Sequence, residues 1–368
     1  MAKDTKKEDQ AFVDDLMDFN PSDVSAFQQP EQKSYTDPNL YKTNPLKVDA
    51  KVSPDGHYHS KVRIVYNPFN KSESIVHSVK YAMFDQDGFF MVDSLLANND
   101  KNCPIFKAWK RLHFSKDETK HTIDGQTYTA KEWGDHMYDK SENDFVLVQV
   151  MEDENQPEFV GRFVAMRLPK AIYDVLEAKM HPKDPNKAPQ DLMNYLFGPA
   201  LEMDVTPGPD NPANPERRQR EIKYTLCAFE SDPTPVMAVD GTPLFTDDEL
   251  DAISDYAENK KKAMDPKATA KKKEEAIAKC KELVDILKGC MAKATEYVRE
   301  NAFDLKERYG YQKPTAEEQA RLDAWIASVE NFKDPASMGE GAPAAQANTA
   351  TPEVPSEEPN QDGDDLPF

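Results

Sequence analysis

Runs of β-branched and aromatic residues set the pattern over the first part of the chain. Val62-Arg-Ile-Val-Tyr66, Ser78-Val-Lys-Tyr-Ala-Met-Phe84, Phe145-Val-Leu-Val-Gln-Val150, Phe159-Val-Gly-Arg-Phe-Val-Ala-Met166 and Ile222-Lys-Tyr-Thr-Leu-Cys-Ala-Phe229 all suit a pleated, half-buried surface. Pro54-Asp-Gly56, Asp85-Gln-Asp-Gly88 and Asp124-Gly125 supply turn chemistry between several of them. Before the last run, Pro169-Lys-Ala-Ile-Tyr-Asp-Val-Leu-Glu-Ala-Lys179 reads as a helix with proline near its first turn. Strands in succession, a long excursion, more strands, one helix and a final strand predict a small barrel or sandwich with insertions. They do not predict alternating βαβ units.

The period then changes. Thr246-Asp-Asp-Glu249 is a capping signature. From residue 272, apolar side chains fall at Ile277, Cys280, Val284, Leu287, Met291, Ala294 and Val298, three and four apart in turn, with Leu305 beyond. That seam suits an antiparallel helical hairpin, packed within the chain or paired with a partner helix. Pro314-Thr-Ala-Glu-Glu318 opens a last helix that runs through Trp325 and Val329. The pattern divides the chain into an arm (1–34), a β-rich core (35–235), a helical region (236–333) and a tail (334–368). The arm holds eight acids, four lysines, Pro21 and Pro30, and reads as mobile; within it, Ala11–Phe19 is apolar enough to dock or to form a turn of helix. The tail has eight acids and no Lys or Arg, buries too little apolar area to fold, and reads as disordered.

Charge alters this picture through its placement. Across 368 residues, 46 Lys and Arg face 67 Asp and Glu, for a net charge of −21. Apolar residues make up 38%, below the usual ~45–50%, which leaves part of the chain outside any core. No window approaches the roughly 18 apolar residues of a membrane span, and the N-terminus has no apolar leader segment. Cys103, Cys227, Cys280 and Cys290 are far apart, so reduced thiols in a cytoplasm are expected.

Against the acidic bulk, Lys101-Asn-Cys-Pro-Ile-Phe-Lys-Ala-Trp-Lys-Arg-Leu-His-Phe-Ser-Lys116 carries five cations and no acid, with Phe106, Trp109 and Phe114 among them. Single-stranded nucleic acid requires this pairing, since cations follow phosphates and rings stack on unpaired bases at about 1–3 kcal/mol each. The same stretch also fits an amphipathic helix whose rings face a core and whose lysines are merely solvated. Tyr128, Lys131, Trp133, Tyr138 and Lys140 extend the candidate set. So do Arg162, Phe163, Arg167 and Lys170, and then Arg217-Arg-Gln-Arg220 with Lys223 beyond the Pro-rich connector 207–215. No P-loop, GxGxxG, HExxH or GxSxG motif is present, and no pair of acids is singled out by spacing, so no enzymatic activity is expected. His57, His59 and His77 read as exposed histidines more readily than as a metal site.

Three segments together resemble the helix-destabilising single-stranded DNA-binding proteins of T-even bacteriophages. The first is Cys103-Pro104 ahead of the basic–aromatic excursion. The second is Phe145–Met151, an acidic loop, and Gly161-Arg-Phe-Val-Ala-Met-Arg-Leu-Pro-Lys-Ala-Ile-Tyr-Asp-Val-Leu176. There the family carries Gly, Arg, Lys, Ile and Asp at the positions of Gly161, Arg167, Lys170, Ile172 and Asp174. The third is the acid-capped helix at Asp247-Asp-Glu249. The order of arm, core, helices and acidic tail matches too. The resemblance spans about residues 36–260 and is specific in order more than in identity.

It implies an α+β protein with an OB-type barrel that holds single-stranded DNA in a cleft of rings and cations. The residues expected to bind are Lys107, Trp109, Lys110, Arg111, Phe114, Lys116, Trp133, Tyr138, Arg162, Phe163, Arg167 and Lys170. The family core holds zinc on one His and three Cys. Here only Cys103 stands in that stretch, with Ile105-Phe106 where the next Cys would fall, so neither metal nor cofactor is expected. The family's arm is basic at its start and supports cooperative binding, whereas this arm is net acidic after Lys7; self-association along DNA stays open. The tip Asp364-Asp365-Leu366-Pro367-Phe368 resembles the end of bacterial single-stranded DNA-binding proteins, which docks replication and repair enzymes. It implies a tail that recruits such partners and competes with DNA for the cations. The alternative is an acidic adaptor for replication proteins that touches DNA only weakly.

Overall fold

The computed structural model describes residues 39–41, 58–153, 155–184, 187–207, 222–265 and 267–336. The arm, the tail tip 364–368 and the Arg217–Arg220 cluster lie outside the described residues. The fold is α+β.

One mixed sheet carries most strands. Its order is β1 (Leu40–Tyr41), β8 (Phe163–Arg167), β7 (Asp139–Asp153), β2 (Tyr58–Val65), β9 (Leu201–Pro207) and β10 (Ile222–Phe229), with β3 (Ile75–Asp85) and β4 (Gly88–Asp93) built onto β7. The β1–β8 pair is parallel; the other pairs in the sheet are antiparallel. Among the described residues β1 and β10 do not pair, so the sheet does not close into a barrel. A small hairpin of β5 (His121–Ile123) and β6 (Gln126–Tyr128) stands apart, turning at Asp124-Gly125 as its sequence predicts.

β7 is the spine. Its 15 residues pair with β3 through Asp139–Val146, with β8 through Phe145–Gln149 and with β2 through Leu147–Asp153. Three hydrophobic clusters form on and beside the sheet. The first sits on β2, β7 and β8, with Ile172, Leu176 and Met180 of α3 (Lys170–Met180) and the irregular segment around Leu192, Met193 and Leu196. The second joins Val79, Tyr81 and Met83 of β3 to α1 (Pro104–His113) and α2 (Ala130–Met137).

The helical region contributes to all three clusters. α4 (Asp247–Met264) and α5 (Ala270–Glu282) form an antiparallel hairpin, and α6 (Val284–Asn301) follows after a single joint at Leu283. Cys280, Leu287, Ala294 and Val298 of the predicted seam enter the first cluster and Met291 packs against it; Cys290, outside the predicted seam, enters it too, whereas Ile277 is exposed. α7 (Leu305–Tyr309) covers Val76, Phe145 and Ala165. α8 (Ala316–Glu330) places Leu322, Trp325, Ile326 and Val329 in the second cluster. The capping box expected at Thr246/Glu249 forms, and the last helix opens at Thr315, as expected, with a second such box to Glu318.

Arg63 fastens the irregular segments to the sheet. It has no solvent exposure. Its Nε donates to Thr234 O at 2.9 Å and its Nη1 to Leu192 O at 2.7 Å; Ile64 O and Asn194 O accept from Nη1 and Nη2. Desolvation pushes the guanidinium down to about 9, and the nearby Asp191 opposes that shift. Glycine is required beside it, because a Cβ at position 198 would lie 2.0 Å from Arg63 Nη2. Gly198→Ala should therefore lower the urea midpoint, through a loss of about 1–3 kcal/mol of stability from overpacking. Gly289→Ala, an exposed helical site with nothing within 4 Å of the new methyl, should raise the midpoint through about 1 kcal/mol of added stability. Equal midpoints for the two variants would contradict this packing.

Candidate functional site

The acid-free stretch folds as α1, with Pro104 in its first turn and Ile105, Ala108 and Leu112 buried on the second cluster. Successive residues turn 100° around a helix, which sorts the remainder. Phe106, Trp109 and His113 form a half-buried flank beside the core stripe, and Lys110, Phe114 and Lys107 follow on the open side. The rings stack on one another: Phe106 on Trp109 at 5.7 Å between centroids, Trp109 on His113 at 4.5 Å, and His113 edge-on to Phe114 at 4.8 Å.

α2 pins this ladder. Its capping box at Thr129/Glu132 starts the helix, and Asp135 one turn later accepts from Trp109 Nε1 at 3.1 Å and His113 Nδ1 at 2.6 Å. Trp109 thus has a ring against both faces and its N–H engaged. The ring left open is Phe114, 55% exposed. The structure therefore falls between the two readings of this stretch: the aliphatic residues face the core, and the rings form its rim.

Lys107, Lys110 and Lys116 are exposed, and none has a carboxylate within ion-pair distance among the described residues. Arg111 differs. Its Nε donates to Glu330 Oε1 at 2.6 Å and its Nη2 to the same oxygen, which ties α1 to α8.

Three expected contact residues are core residues, and the expectation is corrected for each. Trp133 is 2% exposed and donates its Nε1 to Val329 O at 2.9 Å. Tyr138 is 6% exposed, edge-on to Trp325 at 5.2 Å, and burial raises its hydroxyl pKa. Phe163 is 4% exposed in the first cluster. The reason for the first two is α8, which lies over α1 and α2 from almost two hundred residues further along the chain.

The other cations form a second group around α7. Arg162 and Arg167 bracket β8, about 17 Å apart by strand rise. Arg162 is exposed and lies over Phe159 at 5.3 Å. Its position follows from Gly161, whose φ of 84° lets the chain turn under Val239 O; a Cβ there would sit 2.3 Å from that oxygen. Arg167 is half-buried over Phe145 at 6.0 Å, with Nε unpartnered and its pKa lowered by desolvation. Lys170 is exposed at the start of α3. The two groups thus rest on different hydrophobic clusters.

Sequence reading missed Arg308 of α7, and it missed the exposed pair Phe84 and Phe89, directly opposite each other across the β3–β4 turn at 5.1 Å. The turn at Asp85–Gly88 was legible, and with it strand alternation puts both rings on one outward face. The zinc set of the resembling family does not fit these residues. Cys103 is buried with its thiol 3.2 Å from Ser94 Oγ, Ile105 fills core space, and no group of three or more His, Cys, Asp or Glu among the described residues could hold a metal ion. No helix of the described residues is long and apolar enough to cross a membrane. No family model matches the chain, and no curated protein matches it.

Variants that retain one tryptophan, with the others changed to Phe, check this placement. Acrylamide should quench the variant keeping Trp109 most strongly and leave those keeping Trp133 or Trp325 nearly unquenched. Strong quenching of Trp133 would contradict its burial.

Proposed function

We propose that the protein binds single-stranded DNA without sequence preference, as a non-enzymatic component of DNA replication, recombination and repair, and that its sheet is an OB-type core. The observation that carries the reading is the open side of α1. In a chain with 67 acids to 46 bases, cations readily find carboxylates, yet Lys107, Lys110 and Lys116 flank exposed Phe114 with none among the described residues. Unpaired cations beside an open ring supply the two interactions that hold an unpaired strand: phosphate neutralisation and base stacking. Neither reads base edges, so sequence should matter little.

Phe332 stacks on His121 at 3.5 Å, so the chain enters the acidic segment beside the β5–β6 hairpin that follows α1. This placement supports a tail whose carboxylates compete with DNA for the same lysines and whose tip, Asp364–Phe368, recruits partner enzymes.

Fluorescence anisotropy with labelled oligo-dT and a matched duplex tests the reading. The single strand should bind more tightly, with affinity falling as salt rises. Changing Lys107, Lys110 and Lys116 together to Ala should flatten the log–log salt slope by about 2, at roughly 0.7 per phosphate contact. Phe114→Ala should weaken binding by about 1–3 kcal/mol with the slope unchanged. Phe368→Ala should abolish pull-down of replication enzymes and leave DNA affinity intact. Equal affinity for duplex, or an unaltered triple-lysine variant, would refute the assignment.

A further inference from the structure

Beside the stripe that α6 buries runs an open trough of about 680 Å³, and among the described residues α6 alone lines it. Met291, Ala292 and Thr295 give it an apolar strip, with Lys288 toward one end and Arg299 and Glu300 at the other. From Lys288 to Glu300 the face is roughly 18 Å long, at about 1.5 Å of rise per residue. Phe69 extends the strip. It is 43% exposed and lies against the Arg299 guanidinium at 5.9 Å, and Arg299 Nη2 donates to Pro68 O at 3.2 Å.

The place where the arm joins the fold decides what can reach this face. The first described residue is Asn39, and it borders a pocket that Glu300 and Ala302 also line. Glu300 therefore stands between the trough and the root of the arm. Twenty residues lead from Phe19 to Asn39. A flexible chain of that length has a root-mean-square reach of about 25 Å, more than the length of the trough. Such a tether holds the arm near the face at an effective concentration in roughly the millimolar range.

The arm carries a segment of matching character. At 100° per residue, Phe12, Val13, Leu16, Met17 and Phe19 fall on one arc of a helix, and Asp14, Asp15 and Asp18 fall on the opposite arc. Asn20-Pro21 supplies the stop. Isolated helices shorter than about 12–15 residues are marginal in water, so this stripe needs an apolar surface to form against.

We infer that Ala11–Phe19 docks as an amphipathic helix on the α6 face of its own chain, with its rings and aliphatic residues against Met291, Ala292, Thr295 and Phe69 and its acids outward. The tether selects the same chain over a second copy, because at micromolar protein the local concentration is about a thousandfold higher. The inference is independent of the strand-binding reading.

The test uses the full chain. Leu16→Cys and Ala292→Cys are combined, with each single variant as a control; Ala292 is exposed, so the new thiol does not disturb the core. Of the native thiols, Cys103, Cys280 and Cys290 are buried, and burial pushes the half-buried Cys227 up to about 11. A short bismaleimide should join the two new thiols within one chain, at a rate that dilution leaves unchanged. Hydrogen exchange should show the amides of residues 12–19 slowed by about tenfold or more in wild type. Leu16→Asp and Ala292→Glu should each remove that protection, while the amides of α6 stay protected as a control on folding. A cross-link found only between two chains would give the face to a second copy's arm and overturn the inference. Unprotected arm amides in wild type, or protection that both variants retain, would overturn it as well.

Discussion

A guanidinium without solvent contact is costly to bury, and Arg63 offsets that cost by donating to four backbone carbonyls from three stretches of chain. Those carbonyls belong to β2 itself, to the irregular segment at residues 192 and 194, and to residue 234 on the way to α4. Without the arginine, the carbonyls of the irregular segments would be left with poor partners inside the first cluster. With it, two segments lacking regular structure become a fixed platform. Gln149 extends the platform, since its Nε2 donates to Gly161 O at 2.8 Å and Met237 O at 2.7 Å. The turn that carries Arg162 and the loop that covers it are thereby held to the same strand.

A second constraint is the length of β7. One strand pairs with both β3 and β8, so the sheet that carries Arg162 and Arg167 is hydrogen-bonded through β7 to the β3 scaffold under α1. α8 then seals the second cluster. Arg321 grips Asp85 through Nε and Nη2, both at 2.6 Å, and holds that carboxyl below its usual range. Trp325 Nε1 donates to Phe84 O at 2.9 Å. The helix that fixes α1 and α2 is thus the same one that removes Trp133 and Tyr138 from solvent.

Local chemistry was legible in the sequence because it depends on neighbours. The five β-rich runs, the Pro169-led helix, the turns at Asp85–Gly88 and Asp124-Gly125 and two capping boxes follow from residues a few positions apart. The break at Leu283 was not legible, since the three-four spacing of the seam continues through it. Nor was the fate of individual rings. Trp109, Phe114 and Trp133 look alike in a basic–aromatic stretch, and which of them faces water is decided by α8. Arg308 escaped for the same reason: its surroundings are assembled from residues 39, 162–163, 239 and 300–303, most of them far from it in sequence.

The central claim is that a single strand lies on the open side of α1. Ultraviolet cross-linking of oligo-dT to the full chain, followed by peptide mass spectrometry, addresses it at residue level. The account expects the main adduct at Phe114, competed by unlabelled single strands and lost in high salt. Adducts confined to α4–α6, or a Phe114 adduct that salt and competitor leave unchanged, would contradict it.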